Sequence, residues 1–549
     1  MIQVCRSAFF YSILWALILL PLVSGSQENQ NHSKENKIKN VILLIPDGTS
    51  YDLVTLARWY NNNHPLAIDS LICGMVKTHG IDKKFPDSAP TSTAYSTGVK
   101  TKAPYIGIDS SCAPQISVLE LSRLKGLSTG IVVTCEFPHA TPADFVCHFN
   151  SRESGKYLNL AKQFVHNTPD LVFAGGEIFL ENQHLKDVLK QKGFKFINSM
   201  NDFNSLQNDS VWALFADHRG NTKNKSFECD RNPEKEPSFS QMTQKAIDIL
   251  VKDNNGFFLM VEGSHVDWAC HLNDPYAAVT EFIEFDKAVN VALNFAKSNK
   301  ETLVIVCPDH GNGGLSIGNK KSNTISNKKA SDNLSIEENV IKPLKKPEGI
   351  KMSARKLAEI IIEDPIYARA DSIKKYYNIY DENMQKEIEE MRNRLKGDKL
   401  LDSIQQYIGS AYSADNYLGW TTTGHTAEDV FLGIYAPEGT PILKGVVDNS
   451  DVGKYIAKML QLGSMRDSSE KYFTHYKKLF KPIEIKAVSA DSLLIKRGRK
   501  ELTIFPNTNK ISIKQQSKVS FINLPTLSIC IPRDEIEYYL SRDILKYLE

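Results

Sequence analysis

Short apolar runs alternate with longer amphipathic stretches from residue 41 to about residue 319. Apolar runs of this length, bounded by turn residues, are typical of buried strands. The predicted strands span residues 41–45, 74–78, 130–134, 171–174, 256–261 and 302–307.

Helical spacing of apolar residues marks the stretches between these strands. Residues 277–296 carry an apolar stripe at that spacing, and residues 117–124 and 240–251 are further predicted helices. Strand–helix alternation favours a mostly parallel sheet with helices on both faces. We therefore predict an α/β fold, a three-layer sandwich.

The alternation stops at about residue 319 and returns near residue 420. Met384, Ile388, Met391 and Leu395 line one face of a charged helix within this interval. The repeat is too short for a coiled coil. We predict a catalytic core over residues 39–319 and 420–465, with a strand at 430–436 and a helix at 452–462. Residues 320–419 form an inserted helical subdomain.

The last part of the chain has a different pattern. Short apolar runs at 493–496, 502–505 and 511–513 are separated by turn residues, including Arg497-Gly498-Arg499. This pattern is typical of hairpins. We predict a small β-rich C-terminal appendage over residues 470–549.

The N-terminus resembles a secretory signal. Residues 8–23 are almost wholly apolar, a positive charge precedes them, and Ser24 and Gly25 are small residues at the position of a cleavage site. The apolar run is short for a membrane span, which disfavours a retained anchor. We predict a signal peptide over residues 1–25 and a secreted or periplasmic/extracellular protein without a transmembrane anchor after cleavage.

Composition adds two constraints. The net charge of +2 over 549 residues provides no electrostatic reason to expect nucleic acid as a specific partner. The cysteines are widely spaced with no CxxC pair, and Cys135 and Cys307 lie in apolar strands, where we expect them buried rather than bridged.

A candidate nucleophile lies in the run Asp87-Ser88-Ala89-Pro90. Pro90 and helix-compatible residues up to Gly98 predict a helix, with Ser88 at its N-terminus. Free amides and the helix dipole favour an anion there. An isolated Ser-x-Pro is usually a plain N-cap serine, so this assignment needs support from other residues.

Candidate metal ligands follow three of the predicted strands. Asp47 follows strand 41–45, Glu262 ends strand 256–261, and Asp309-His310 follows strand 302–307. In open α/β sheets, ligands bind at the carboxyl ends of the strands, so these residues are expected to converge.

Two further elements carry side chains that commonly bind zinc. Asp267 and His271 are four residues apart and face the same side of a helix. With one more histidine, such as His425, they would make a three-ligand zinc site with an open position. Alone, each of these elements is more often structural.

Together these segments resemble the alkaline phosphatase family, in motif order from about Lys39 to Pro437. The motifs that carry the resemblance are Pro46-Asp47-Gly48, Asp87-Ser88-Ala89, His139-Ala140-Thr141-Pro142-Ala143, Ser151-Arg152, Glu262-Gly263 to His271, Pro308-Asp309-His310 and Gly424-His425-Thr426.

The resemblance implies a role for each residue. Ser88 would be the nucleophile that becomes phosphorylated, and Arg152 would grip two phosphate oxygens, with Asp87 beside them in the pocket. One Zn²⁺ would be bound by Asp267, His271 and His425, and a second by Asp47, Asp309 and His310.

The chemistry is consistent with these roles. Two metal ions roughly 4 Å apart can stabilise both the attacking and the leaving oxygen of an in-line displacement. An arginine matches phosphate with two parallel hydrogen bonds, as a lysine cannot.

A third metal, usually Mg²⁺, would be bound by Asp47, Thr141 and Glu262. A set of hard oxygens suits Mg²⁺, although Thr141 and Glu262 are equally suited to hold a metal-bound water. His139 stands where some family members have Asp, and it would soften the site toward Zn²⁺ or Co²⁺. Trp268 stands where others have Lys or His; it would either line the pocket or serve in packing.

The predicted function is hydrolysis of small-molecule phosphate monoesters through a phosphoserine intermediate, with broad specificity and an alkaline optimum. A sulfatase would need Arg at position 92, which is Ser92. A phosphodiesterase is disfavoured by Arg152 and the third site, and a non-catalytic binder by the presence of Ser88. Family members are often dimers, which makes a homodimer an option.

Overall fold

A large mixed sheet forms the centre of the protein, as the alternating pattern predicts. The structure, a computed structural model, describes residues 38–153, 155, 157–181, 184–207, 210–215, 226–320, 340–345, 349–379 and 383–549. The predicted signal peptide and the first part of the predicted insertion lie outside these residues.

The strands, in chain order, are β1 Asn40–Pro46, β2 Ile72–Lys77, β3 Ser128–Glu136, β4 Leu171–Gly175, β5 Lys195–Ile197, β6 Val211–Leu214, β7 Phe257–Gly263, β8 Thr302–Val306, β9 Gly311–Asn312, β10 Leu315–Ile317, β11 Leu418–Trp420, β12 His425–Thr426, β13 Val430–Tyr435, β14 Gly445–Asp448, β15 Thr474–His475, β16 Glu484–Val488, β17 Leu493–Arg497, β18 Lys500–Ile504, β19 Thr508–Gln515, β20 Lys518–Pro532 and β21 Ile536–Leu540.

The α-helices are α1 Tyr51–Tyr60, α2 Ser88–Thr97, α3 Val118–Leu124, α4 Ala140–Ala143, α5 Tyr157–His166, α6 Ile178–Glu181, α7 Leu185–Gln191, α8 Met200–Ser205, α9 Phe239–Leu250, α10 His265–His271, α11 Pro275–Asn299, α12 Lys342–Leu344, α13 Ala354–Glu363, α14 Ala370–Tyr377, α15 Met384–Arg394, α16 Asp398–Asp415, α17 Asn449–Met459, α18 Met465–Tyr472 and α19 Tyr476–Leu479.

The central sheet has ten strands in the order β14-β2-β13-β8-β1-β7-β3-β4-β6-β5. Among these, only β13 runs antiparallel to its neighbours, β2 and β8. The β1 sequence is apolar throughout and all its residues are buried, which is typical of a parallel strand covered on both faces.

Side chains of β1 alternate between two apolar cores. Ile42 and Leu44 belong to the core that includes α1, α9 and α11, whereas Leu43 and Ile45 belong to the core that includes α2, α3, α5 and α17. The period of two residues along a strand places helices on both faces of the sheet. The predicted α/β three-layer sandwich is therefore confirmed.

The predicted break in the alternation is helical. Helices α13 to α16 occupy much of the predicted insertion, and Met384 and Ile388 of α15 are fully buried. Their apolar faces join the same core as α1 and α11. The boundaries of the insertion remain a prediction.

A second, antiparallel sheet of seven strands forms the C-terminal part, in the order β15-β21-β20-β19-β18-β17-β16. Three of these strands match the predicted ones, and Gly498 occupies the turn between β17 and β18 with a positive φ of 58°. The sequence reading missed β20, a strand of 15 residues, because Pro525 and several polar residues interrupt its apolar pattern.

No helix within the described residues is long and apolar enough to cross a membrane.

Helix α2 is fixed in place by a close contact with α17. A Cβ added at Gly453 of α17 would lie 2.7 Å from the carbonyl oxygen of Tyr95 and 2.8 Å from the amide nitrogen of Gly98. Gly98 ends α2 in the left-handed conformation, with φ 70°. The position of Ser88 at the other end of α2 thus depends on close packing of two backbones.

We predict that Gly453→Ala lowers the free energy of unfolding by about 1–3 kcal/mol, because the added methyl group overpacks this contact. Thermal unfolding of the purified variant measures the change. Lys458→Ala, on the exposed face of the same helix, should shift the free energy by less than about 0.5 kcal/mol. Equal melting temperatures for Gly453→Ala and the unmodified protein would contradict the packing argument.

Candidate metal centre

Buried polar side chains meet at the carboxyl edge of the central sheet. Strand β7 lies between β1 and β3, with Glu262 paired to Ile45 on one side and Val133 on the other. Asp47 directly follows β1, and Asp309 follows β8, the other neighbour of β1. The convergence predicted from the strand ends is present.

One group of ligand atoms comes from Asp47, Asp309 and His310, which lie within 4.8 Å of one another. His310 Nε2 lies 3.5 Å from Asp47 Oδ1 and 3.3 Å from Asp309 Oδ2. All three side chains are fully buried. The predicted second zinc set is thus brought together.

A second group surrounds Asp267 on α10. His271 Nε2 lies 3.2 Å from Asp267 Oδ2, one helical turn away, and His425 Nε2 lies 3.8 Å from Asp267 Oδ1. The rings of His425 and His310 stack with centroids 3.7 Å apart. His310 therefore joins the two groups, and it also lies within 4.8 Å of Asp267 and His425.

Backbone carbonyl groups orient the histidine rings. His271 Nδ1 lies 2.6 Å from the carbonyl oxygen of Thr423, and His425 Nδ1 lies 2.9 Å from that of Pro86. A ring that donates from Nδ1 presents its Nε2 lone pair in the opposite direction. In both rings Nε2 therefore faces Asp267, the position from which it would bind a metal. Burial opposes the charge of His271, but Asp267 raises its pKa to about 9, so a metal bound there would replace a proton.

Ser88 lies against the junction of the two groups. It is the first residue of α2, with Asp87 as the N-cap residue and Pro90 at the third helical position rather than the first. Its Oγ lies 3.2 Å from His310 Nε2. The hydroxyl thus lies at a helix N-terminus and also contacts a candidate metal ligand.

A half-buried ion pair lies beside Ser88. Arg152 Nη1 donates a hydrogen bond to Asp87 Oδ1, and Nη2 lies 3.3 Å from His139 Nε2. Burial opposes the charge of Arg152, but Asp87 raises its pKa, so the guanidinium keeps its charge. Burial likewise opposes the charge of Asp87, and Arg152 holds the pKa of Asp87 below its usual value.

A third group of ligand atoms shares only Glu262 with the predicted third site, which was Asp47, Thr141 and Glu262. Ligand atoms of Glu262, His139 and Cys135 lie within 4.8 Å of one another. Thr141 is fully buried in α4, two residues after His139, and its Oγ1 has no hydrogen-bond partner. Burial and the charge of Arg152 lower the pKa of His139 to about 3, which keeps the ring neutral.

Trp268 borders this region. Its ring lies 6.0 Å from that of His139 in an edge-on arrangement and 4.8 Å from that of His265. The side chain is half-buried and packs against both apolar cores. It lies beside the centre as predicted.

Bound cations would stabilise the buried carboxylates of the centre. Burial raises the pKa of Asp47 well above its usual value, and the charge of Asp309 adds to this. The same two causes raise the pKa of Glu262 to about 8. Both carboxylate oxygens of Asp47, Oδ2 of Asp309 and Oε1 of Glu262 are buried without a hydrogen-bond partner. Buried carboxylates of this kind are usually paired or bound to metal.

The donor sets fit the metals that the sequence suggested. Imidazole nitrogens together with carboxylate oxygens in two groups of three suit zinc. Unpartnered oxygens aimed into the centre are what a bound cation would complete.

Two residues at the centre were missed by the sequence reading. Asn312 Nδ2 donates to Asp267 Oδ1 at 2.7 Å and to its carbonyl oxygen at 3.0 Å. The available signal in the sequence was that Asn312 lies two residues after His310. The structure places Asn312 on the short strand β9, which pairs with β12. Cys135 was expected to be buried, which is confirmed, but not to face Glu262.

The fold and these clusters define an α/β protein with a candidate metal centre at the carboxyl edge of its sheet. A sequence profile of the family described as Alkaline phosphatase matches residues 38–462. Two similar proteins of Bacillus subtilis, Alkaline phosphatase 3 and Alkaline phosphatase 4, are 31% and 33% identical to this chain. Each alignment covers 82% of the chain and 96% or 95% of the relative.

A solved structure of cold-active alkaline phosphatase from Shewanella superposes with a TM-score of 0.65 at 26% identity. The superposition covers 77% of this chain and 99% of the Shewanella chain. The chain belongs to the alkaline phosphatase family. This is a metal-dependent family of phosphate monoester hydrolases, and the chain is accordingly an enzyme of that class.

We predict that Asn312→Leu weakens zinc binding at the Asp267 group by roughly 10- to 100-fold, because the amide no longer orients the carboxylate. Competition with a chelator of known affinity measures the change. Asn509→Leu removes an amide of the C-terminal sheet and should leave zinc affinity unchanged. Unaltered affinity in Asn312→Leu would show that Asp267 needs no such support.

Proposed function

We propose that this protein hydrolyses a broad range of phosphate monoesters through a phosphoserine intermediate on Ser88, with two Zn²⁺ and a third metal bound. The observation that carries the proposal is the position of Ser88 Oγ, 3.2 Å from His310 Nε2 where the two ligand groups meet. A serine that served only to cap a helix would not need to lie against a candidate metal ligand.

Substrate binding depends on the positive charges around Ser88. Arg152 lies one hydrogen bond from Asp87, the residue next to Ser88. Its planar fork can donate two parallel hydrogen bonds to phosphoryl oxygens, while Asp87 fixes its orientation. The free amides at the start of α2 add further donors for the same anion.

The first half-reaction transfers the phosphoryl group to Ser88. The Ser88 hydroxyl loses its proton to solvent as Oγ bonds to phosphorus. The bond from phosphorus to the alcohol oxygen breaks, and that oxygen takes up a proton from solvent to leave as the alcohol. When bound, the two zinc ions would supply Lewis-acid stabilisation of both oxygens. They would be held by the set Asp47, Asp309, His310, Asp267, His271 and His425.

The second half-reaction returns Ser88 to its starting state. Water gives up a proton as it attacks the phosphoserine from the side that the alcohol has left. The bond from phosphorus to Oγ breaks, Oγ takes up a proton, and inorganic phosphate is released. Arg152 keeps the phosphoryl oxygens in place during both transfers. Since the Ser88 hydroxyl must be deprotonated to attack, we expect an alkaline optimum.

The proposed specificity follows from where the contacts lie. The charged groups named above face the phosphoryl group and not the alcohol, so the leaving group is weakly selected. Trp268 borders the centre and would be the residue to contact an aromatic leaving group. Broad specificity for small-molecule phosphate monoesters is therefore the proposal.

The third metal would be bound by Asp47, Thr141 and Glu262, with His139 close by. Oxygen donors favour Mg²⁺, and the imidazole of His139 favours Zn²⁺ or Co²⁺. We also propose a secreted or periplasmic/extracellular location, supported by the signal-like sequence of residues 1–25. A homodimer is proposed on family resemblance alone.

The test of the proposal is phosphate release from a chromogenic aryl phosphate at alkaline pH. The full chain is assayed before and after chelation, then with zinc restored, with and without magnesium. We expect activity to disappear on chelation and to return with zinc. Full zinc occupancy without monoesterase activity would contradict the proposal, and diesters and sulfate esters would then be assayed on the same samples.

We predict that Ser88→Ala lowers kcat by more than about a thousandfold while zinc stays bound, because removing the nucleophile leaves only binding and charge stabilisation. Ser92→Ala is the matched control. Ser92 lies one turn further along α2, is buried, and its Oγ has no hydrogen-bond partner, so activity should be retained. Activity in Ser88→Ala equal to that of the control would exclude the phosphoserine route.

We predict that Arg152→Ala lowers kcat/KM by roughly 10- to 150-fold, the cost of losing a hydrogen bond from a charged donor, about 1.5–3 kcal/mol. Arg152→Lys should recover only part of this, because an ammonium group cannot form the two parallel bonds. Steady-state kinetics on the aryl phosphate provide the measurement. Full activity in Arg152→Lys would mean that charge alone suffices.

A further inference from the structure

We propose that Cys135 is a ligand of the third metal, so that this site binds Zn²⁺ in preference to Mg²⁺ through a thiolate, an imidazole and a carboxylate. The inference depends on the proposed function only in assuming that a third metal is present. It changes the chemical class of that metal and adds a residue from outside the motifs.

The strand register places Cys135 in the metal centre. Ile45, Glu262 and Val133 form one row across β1, β7 and β3. Asp47 lies two residues beyond Ile45, and Cys135 lies two residues beyond Val133. Ile45, Val133 and Cys135 belong to the same apolar core, so Cys135 lies on the same face of the sheet as that row, and its Sγ approaches Glu262. Asp47 follows the end of β1 on the other side of β7.

The distances fit a zinc site. Cys135 Sγ lies 3.7 Å from Glu262 Oε2. With a zinc–sulfur bond of about 2.3 Å and a zinc–oxygen bond of about 2.0 Å, a tetrahedral angle separates the two ligand atoms by about 3.5 Å. The ligand atoms of Cys135, Glu262 and His139 all lie within 4.8 Å of one another. Small side-chain shifts would complete the coordination.

Other buried groups point to a ligand at the same place. Glu262 Oε1, His139 Nδ1 and Thr141 Oγ1 are buried without hydrogen-bond partners. Cys135 belongs to an apolar core, but its Sγ also approaches the carboxylate of Glu262. Within the part of the chain that the structure describes, Cys135 is the one cysteine found in a potential metal-ligand group. The unpartnered atoms of Glu262 and His139, the two residues grouped with this thiol, are better explained by a cation than by packing.

The donor set selects the metal. Mg²⁺ takes hard oxygen ligands in a near-octahedral arrangement, and it usually retains several waters. Thiolate and imidazole ligands favour zinc or cobalt over magnesium. In a site with Cys135 and His139 beside Glu262, both the thiolate and the imidazole therefore disfavour Mg²⁺.

The test uses the full chain loaded with Co²⁺ or Zn²⁺. A cobalt–thiolate bond produces a charge-transfer absorption in the near ultraviolet, which carboxylate and imidazole ligands do not. We expect this absorption in the unmodified protein, its loss in Cys135→Ser, and its retention in Cys147→Ala. Cys147 is equally buried, and its Sγ contacts the carbonyl oxygen of Leu160.

Metal content provides the second readout. After equilibration in zinc with excess magnesium, the unmodified protein should carry a third equivalent of zinc. In Cys135→Ser the affinity for that equivalent should fall by at least about tenfold, in line with the loss seen when supporting groups of metal sites are removed. Magnesium should then replace it. Unfolding temperatures identify any variant that fails to fold, and Cys135→Ala provides a second substitution.

The outcomes separate this inference from the proposed function. No charge-transfer absorption in the cobalt protein, or an unchanged third zinc in Cys135→Ser, would overturn the role of Cys135 even if the enzyme hydrolyses the aryl phosphate. Conversely, loss of the thiolate signal in Cys135→Ser alone would support the site even if monoesterase activity were absent.

Discussion

The constraint on which the structure depends is the repulsion among buried carboxylates at one edge of the sheet. Asp47, Asp309 and Glu262 lie together with unpartnered oxygens, and burial together with their mutual charge raises the pKa values of Asp47 and Glu262. Such a group is unfavourable unless cations or protons neutralise it. The parallel strands that deliver these residues are apolar along their length, so the sheet itself provides the stability that the centre lacks.

Helix α2 connects this centre to the reaction. Its first residue is Ser88, whose hydroxyl contacts His310, and its last turn packs against α17 at Gly453. A helix held at both ends positions the hydroxyl and the anion-binding amides together. The ion pair of Asp87 and Arg152 then adds a directed positive charge on the open side. In the proposed mechanism, phosphate binding and the attack of Ser88 on phosphorus would both depend on the position of α2.

The centre is also asymmetric around Glu262. On the side of β1 the neighbours are carboxylates and imidazoles, while on the side of β3 a thiol and the ring of His139 approach. One carboxylate thus borders regions of different hardness. In the proposed metal centre, the donor atoms at the ends of these two strands would determine which metal each region binds.

The sequence by itself determined the layers and most of the centre. Buried parallel strands are apolar on both faces, and therefore β1, β7 and β8 and the ligands after them could be predicted from a one-dimensional pattern. The short strands β5, β6 and β14 were not predicted. β5 and β14 are the two edge strands, which bury little surface, and β6 is buried but only four residues long, so all three leave a weak pattern. Only the tertiary structure shows which strands lie next to each other in the sheet. Cys135 reaches Glu262 because β3 lies beside β7 in the sheet. Asn312 reaches Asp267 because β9 packs against α10, although the two residues are 45 apart in the chain.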